Sequence, residues 1–570
     1  MSYIVVVYGA QKGPFSIAHA ARRPHLPFMN FRYNRALILL LLACPVASLA
    51  QPSVAMFGYS LSMGSVTVDQ EQLYRLSLRP DFPLGRLGIG LDLELFVERN
   101  GDLGSRGWKA GSSTQTFDSI LRKIYYVRYG RPNDAVYVKI GALDNVTLGY
   151  GLIMDNYRNT LHYPGIKKTG LQFRIANFAG TNIGLEGVIN NLQDFQEGGA
   201  LIGLRTIGYA ADLEVGVTFV ADLDQYSGLR DSDSDGVPDP IDAFPDDGNF
   251  ALDNDHDGVP DHIDSDDDND GIIDADAGSG LSADIASALL GLNANYGNAF
   301  PIDQDVDRHK PFNKNHVGQD FFSILGVDLA YPLIRDLGLE LKLYGQFATL
   351  IDDDDGLSSF EAQQQGVYPG NRQATGFGIA APGLWLSLGP LNGQLDFRHF
   401  RRDFDSRYFD ELYELDRAHL DLTTGQAQSK DARLGYSNDL SGFFGHLGTE
   451  LGSYAYASIS YQYLTGTGDP KQQIIASASL SRKLLKYFPH LKRAYAYFHK
   501  NNIGRNPNED GSGRDDFFEP TEDTFYGFDV GLNIKEGASV RWDTRFFFER
   551  TANRRLQRHK VMTLETVFDF

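Results

Sequence analysis

Apolar and polar residues alternate with period two through most of the chain beyond residue 51. In the run from Leu87 to Leu95, Leu87, Ile89, Leu91, Leu93 and Leu95 share one face, while Asp92 and Glu94 take the other. Leu213, Val215, Val217 and Phe219 alternate with Glu214, Gly216 and Thr218. Leu337, Leu339, Leu341 and Leu343 alternate with Gly338, Glu340, Lys342 and Tyr344. Near the end, Val540, Trp542, Thr544 and Phe546 oppose Arg541, Asp543 and Arg545. Period two is the signature of an extended strand, whose successive side chains leave by opposite faces. Such two-faced strands suit a soluble sheet with one wet side, or a wall between lipid and water.

Connection lengths separate those options. Short turns are predicted at 79–86, 130–134, 178–182, 208–211, 331–337, 388–393, 485–493 and 535–538. Between them lie long polar links, roughly 99–117, 142–169, 222–320, 351–374, 402–430 and 500–525. Alternation of short and long puts every second turn on one side, as in membrane barrels with tight turns at one rim and long loops at the other. Twenty strands can be counted, within a range of 16 to 20, and an even number returns both ends to the same rim. The final run adds a terminal signal: Met562, Leu564, Thr566, Phe568 and Phe570 share a face opposite Thr563, Glu565 and Asp569. The expected fold is therefore all-β, a transmembrane antiparallel β-barrel. The chain resembles Gram-negative outer-membrane β-barrels of the porin-like or transporter-like kind. That resemblance implies outer-membrane lipid around the wall and a barrel assembly machinery that reads the terminal aromatic. Tyr461, Tyr463, Trp385 and Phe546 to Phe548 are the candidate interfacial aromatics.

One segment departs from this pattern. Asp231, Asp233, Asp235, Asp239 and Asp242 occupy positions 1, 3, 5, 9 and 12 of a loop with Gly236 at position 6. Asp253, Asp255, Asp257, Asp261 and Asp264 repeat it around Gly258, and Asp266, Asp268, Asp270 and Asp274 repeat it around Gly271, with Ala277 at the last acidic place. Carboxylates so spaced can converge on a hard cation, and a flexible all-oxygen cage favours Ca2+ over magnesium. Pro238 and Pro260, and the absence of a flanking amphipathic pattern, argue against a helical EF-hand. The run 231–276 resembles thrombospondin type 3 repeats, which implies calcium wrapped by chain with little regular structure. His256 and His262 sit inside the repeats as bystanders by position.

Composition sharpens the division. The net charge is −22, yet residues 231–280 hold 18 aspartates and no lysine, arginine or glutamate, so most of the acidity belongs to one device. A mean hydropathy of −0.29 is compatible with barrel strands, whose lumenal residues are polar. At the start, Arg32 and Arg35 precede an apolar run to Ala43, and Ser48-Leu49-Ala50 offers a cleavage site before Gln51. This reads as a secretory signal with Met29 as the working start. Leu41-Leu42-Ala43-Cys44 offers a competing lipoprotein reading that would acylate Cys44, the chain's one cysteine. The expected organisation is leader 1–50, barrel 51–221, extracellular insertion 222–320 and barrel 321–570.

Asp92, Glu94, Glu340, Lys342, Asp396, Arg398, Arg541, Asp543 and Arg545 are the residues expected either to line a wet lumen or to pair across its wall. The link 142–169, with Gly149, Gly151, Tyr157 and Tyr163, either folds inward as a constriction or sugar-stacking loop, or stays at the surface. Two functions fit: a porin-like channel for small hydrophilic solutes, or a surface adhesin whose calcium repeats touch extracellular partners. Catalysis is disfavoured because no serine, zinc or phosphate-binding motif stands out. Nucleic acid is disfavoured because no basic stripe exists.

Overall fold

The computed structural model describes residues 58–569 apart from 69–70, 98–102, 105–118, 133, 162, 164–166, 196–197, 265, 267–272, 275–282, 297–301, 304–311, 337, 353–372, 422–423, 435–438, 452–453, 467–469, 481, 486, 504–516, 522 and 551–555. The leader, Cys44, Asp268, Asp270 and the terminal Phe570 lie outside the described residues.

Twenty strands form one closed antiparallel barrel. In chain order they are β1 (Gly58–Val68), β2 (Glu71–Leu84), β3 (Leu87–Leu91 and Leu93–Val97, interrupted at Asp92), β4 (Ile124–Tyr129), β5 (Val136–Gly141), β6 (Gly170–Ile175) and β7 (Ile183–Ile189). Then come β8 (Leu201–Ala210), β9 (Leu213–Asp222), β10 (Phe322–Asp336), β11 (Leu339–Asp352), β12 (Gly376–Leu388), β13 (Leu391–Arg402) and β14 (Leu440–Leu451). The last six are β15 (Ala455–Gly466), β16 (Lys471–Leu480), β17 (Leu491–Lys500), β18 (Thr524–Lys535), β19 (Ala538–Arg550) and β20 (Leu556–Asp569). Each pairs with its sequence neighbours, and β1 pairs with β20 from Ser60↔Asp569 to Val66↔Thr563, so no edge remains. Closure satisfies the backbone groups that lipid could not.

The turns between β2 and β3, β8 and β9, β10 and β11, β12 and β13, and β18 and β19 are two residues long and share one rim. The opposite rim carries the long connections, of which 223–321 is the longest. The β10 strand runs further than the sequence suggests. Residues 331–336 stay extended, and the turn narrows to 337–338, where Gly338 supplies φ +88°.

Polarity is inverted relative to a soluble domain. Leu395 is 55% exposed and Phe443 59%, while their neighbours Gln394, Asp396, Arg398 and Phe444 are buried inside. Leu325, Val327, Leu329, Tyr331, Leu343, Phe347, Ile459 and Tyr463 continue the apolar outer surface. A belt of this kind, far larger than a soluble monomer tolerates, is the surface of a barrel in a bilayer. Trp385 corrects one sequence expectation. A register shift between Ala380 and Gly383 reverses the phase of β12, so Trp385 faces inward beneath Lys342 instead of joining an outer girdle.

The closing seam is close-packed. A Cβ on Gly64 would lie 1.9 Å from the carbonyl oxygen of Leu564 on β20. Gly64→Val is therefore expected to prevent β1–β20 pairing. It would abolish the heat-dependent mobility shift of the folded barrel on SDS gels, whereas Leu395→Val on the outer face would preserve it.

Candidate functional site

Two connections fold into the lumen through their described residues within 142–169 and 403–439. The first reverses sharply at Gly149 (φ +62°) and Gly151 (φ +81°), conformations in which a Cβ would be strained. Its tip lands on the barrel wall. The Tyr150 ring stacks on Tyr344 at 4.4 Å, its N–H donates to Gln346 Oε1 at 3.2 Å, and its carbonyl accepts from Gln394 Nε2 at 3.0 Å. Leu143, Val146, Leu152, Met154 and Tyr157 join an apolar cluster with Val220, Phe322 and Ile324 of the wall. The inward fold is thus the outcome of the two left open by sequence. Its tyrosines are not available for stacking on a solute, because Tyr157 is buried and donates to Glu414, and Tyr163 lies under Arg75 and Arg79.

The second connection carries the aromatic run Phe404, Tyr408, Phe409 and Tyr413, all buried in the same cluster. Its backbone pairs with the first: Arg407 N–H donates to Leu152 O at 2.7 Å and Asp155 N–H to Phe409 O at 3.2 Å. Buried ions reinforce this joint. Arg407 meets Asp155 at 3.2 Å, Lys168 meets Glu414 at 2.5 Å, and Arg417 grips Asp222 at the end of β9 through two hydrogen bonds of 2.5 Å. His499 of β17 contacts Glu411 through Nδ1 at 2.8 Å.

The charges expected on the lumenal face lie there and pair across it. Arg75 reaches Glu94 at 2.9 Å, Glu565 at 2.7 Å and Asp92 at 3.4 Å, and Lys167 adds a 3.2 Å contact to Asp92. Arg398 binds Asp396 and Gln462 at 2.6 Å over the Phe444 ring. Glu340 meets Lys342 at 3.5 Å, and Arg541 joins Asp529 (2.9 Å) to Asp543 (3.4 Å), which also holds Arg545. Lining the lumen and pairing across the wall are one arrangement here.

Between the folded-in loops and β14 to β18 remains a solvent-open cavity of about 60 Å³. Asn145, Asn156 and Arg158 border it from the first loop, Glu411 from the second, and serines and tyrosines from the wall. The wall tyrosines Tyr495 and Tyr497 escaped the sequence reading, because an aromatic on a barrel strand has no local mark distinguishing solute contact from packing.

On the long-loop rim, the first two aspartate repeats adopt the same local geometry. Asp231 accepts from Ser234 N–H (2.8 Å) and Gly236 N–H (3.0 Å), and Asp253 from Asp257 N–H (3.1 Å) and Gly258 N–H (2.9 Å). Asp235 accepts from Val237 N–H and Asp257 from Val259 N–H, both at 2.7 Å. Asp239 and Asp261 accept from Ser232 and Asn254 N–H. Gly236 (φ +101°) and Gly258 (φ +91°) make the turn, and 3-10 turns follow at Asp239–Ile241 and Asp261–Ile263. The carboxylate oxygens of Asp231, Asp233 and Asp235 lie within 4.8 Å of one another, as do those of Asp253, Asp255 and Asp257. Asp242 is only 8% exposed, and its Oδ2 has no hydrogen-bond donor. Burial, with the charges of Asp235, Asp233 and Asp239, pushes its carboxyl up to about 6. Its Oδ1 accepts from Phe244 N–H at 2.7 Å, and a buried carboxylate with its other oxygen unpartnered, crowded by three more, fits a divalent cation of high oxygen demand. Asp264 accepts from Asp266 N–H at 3.1 Å, joining the second repeat to the third. Asp274 stands in a short strand, Ile273–Asp274, paired with Ile302–Asp303. His262 stacks on Phe250 at 5.0 Å, in keeping with its bystander place. A helix at Ala283–Tyr296 follows, which the sequence reading missed.

No protein-family model and no curated protein matches the chain. Among solved structures it is similar to CdiB from Acinetobacter baumannii, at 7% identity and TM-score 0.24 over 90% of this chain and 60% of that one. It is also similar to OprD from Pseudomonas aeruginosa (7%, TM-score 0.28, 91% and 95% covered) and to the siderophore receptor PirA from Acinetobacter baumannii (10%, TM-score 0.31, 91% and 81%). The chain thus spans well under two thirds of CdiB. No family follows from likenesses of this size.

The first repeat is tied to the lumenal loops. Asn315 Nδ2 donates to Asp235 O at 2.7 Å, Lys314 N–H to Gly236 O at 2.7 Å, and Phe312 N–H to Gly425 O at 2.7 Å. Tyr226, Phe312, Leu420 and Ala427 form an apolar cluster with Ile241 of the repeat packed against it. Leu420 and Ala427 belong to the hairpin Ala418–Asp421/Gln426–Ser429, which directly follows Arg417.

Proposed function

We propose that this chain is an outer-membrane channel for small hydrophilic solutes whose lumen is narrowed by the connections 142–169 and 403–439. The observation that carries this reading is the solvent-open cavity, bordered by Asn145, Asn156, Arg158, Glu411 and wall serines, left beside those loops in a barrel with an apolar exterior. In this reading the long-loop rim is extracellular, and the terminal strand serves as the substrate of the barrel assembly machinery. Ca2+ held by Asp231, Asp233, Asp235, Asp239 and Asp242, and by Asp253, Asp255, Asp257, Asp261 and Asp264, stiffens the insertion. A third ion belongs with Asp266, Asp268, Asp270 and Asp274. The first ion also braces the 418–429 hairpin, and through it the loop that occupies the lumen. In planar bilayers, the purified protein is expected to give discrete, ohmic current steps. A folded, inserted barrel that passes no current overturns the channel reading.

A second reading rests on the second repeat, which exposes Val259 and Ile263 beside its carboxylates. A calcium-dependent contact with an extracellular surface would use that face. Cell attachment that is lost on chelation, from a barrel without conductance, would select it over the channel.

A further inference from the structure

We infer that the lumenal cavity is a binding site for an uncharged polyhydroxylated solute of no more than monosaccharide size. Because it presumes that solute enters the lumen, it deepens the channel reading and rests on it. One side is an aromatic row: Tyr495 and Tyr497 lie 5.5 Å apart, and Tyr497 stacks on Phe525 at 5.3 Å, all three bordering the cavity. Such rings offer polarisable apolar surface to the C–H faces of a sugar, with phenolic hydroxyls at their rims. Beside them β15 and β16 present Ser458 and Ser477, whose hydroxyls bond each other at 2.8 Å and can exchange that bond for one to a ligand hydroxyl.

The charge at the site argues against an ionic solute. Arg158 and Glu411 both border the cavity and lie 3.5 Å apart, so each already holds its counter-charge. An anion would have to displace Glu411 from Arg158, and a cation Arg158 from Glu411. Both would leave a partly buried charge without its partner. A neutral polyol needs neither exchange, and it can accept from the guanidinium while donating to the carboxylate.

Calorimetry on the full-length protein in detergent micelles with calcium present reads binding separately from permeation. Glucose is expected to bind saturably, with gluconate and glucosamine at least about tenfold weaker, and Tyr497→Ala is expected to weaken glucose by about tenfold. Ser477→Ala, which removes one oxygen and little volume, covers the case in which Tyr497→Ala does not fold, and is expected to weaken glucose by about threefold. Absence of saturable binding, equal binding of the charged sugars, or unchanged affinity in a folded variant overturns the site. Conductance without sugar binding would remove the site and keep the channel. Sugar binding to a barrel that never conducts would keep the site and remove the channel.

Discussion

Replacing Arg417 with alanine is expected to undock the 403–439 connection and open the lumen. Arg417 is fully buried, and its two hydrogen bonds to Asp222 join this loop to the top of β9. Removing one partner of a buried pair leaves the other charge uncompensated, at a cost of about 3–5 kcal/mol. That shifts the balance between docked and released loop by about 10² to 4 × 10³-fold towards release. Tyr413, which donates to Asp222 at 2.6 Å, would lose its anchor as well. Unitary conductance in planar bilayers should rise several-fold, and Asp222→Ala should reproduce the effect. A folded Arg417→Ala barrel with native conductance would show that the loop does not limit passage. Mild acid should not mimic the mutation. Burial pushes the Glu414 carboxyl up, but Lys168 and Arg417 outweigh it and hold the group at about 2. A depressed carboxyl contributes stability above its ordinary value of 4.5, lost only as pH falls through about 2. With calcium kept saturating, conductance is therefore expected to stay constant from pH 7 down to about 4.

Chelation should have the second large effect. Without a cation the carboxylates of 231–264 repel one another, and the long connection is expected to become cleavable by protease while the strands stay protected. Extracellular calcium modules bind with Kd on the order of 10⁻⁴–10⁻³ M. Asp235→Ala and Asp257→Ala should each abolish one site in a calorimetric titration. Undiminished stoichiometry in the double variant would refute the assignment. Acid acts through Asp242 with opposite signs on two quantities. Its raised carboxyl binds a proton more tightly in the folded loop than in the unfolded chain, so the calcium-free loop gains stability as pH falls through about 6. Calcium needs the ionised form, so its affinity should fall over the same range.

The strands were legible because a lipid–water wall imposes one rule on every residue. Leu213 to Phe219 and Val540 to Phe546 follow it without interruption. The rule fails where the backbone breaks period, and the shift at Ala380–Gly383 is why Trp385 points inward against expectation. The aspartate spacing was legible for a local reason, since position along the chain sets position in the turn. The lumenal loops were not. Asp222 and Arg417 are 195 residues apart, and nothing near either marks the other. One signal was present, because Tyr408, Phe409 and Tyr413 are too apolar for a solvated loop. Their burial accounts for that excess.

The most direct test of the barrel reading places spin labels along β13 and β14 in proteoliposomes. Labels at Leu395→Cys, Phe397→Cys and Phe443→Cys should be relaxed by oxygen dissolved in lipid and shielded from a water-soluble nickel chelate. A label at Asn392→Cys, beside the short turn, should show the reverse. Chelate access at the three apolar positions equal to that at Asn392→Cys would mean that this surface faces water, and the membrane-barrel account would be wrong.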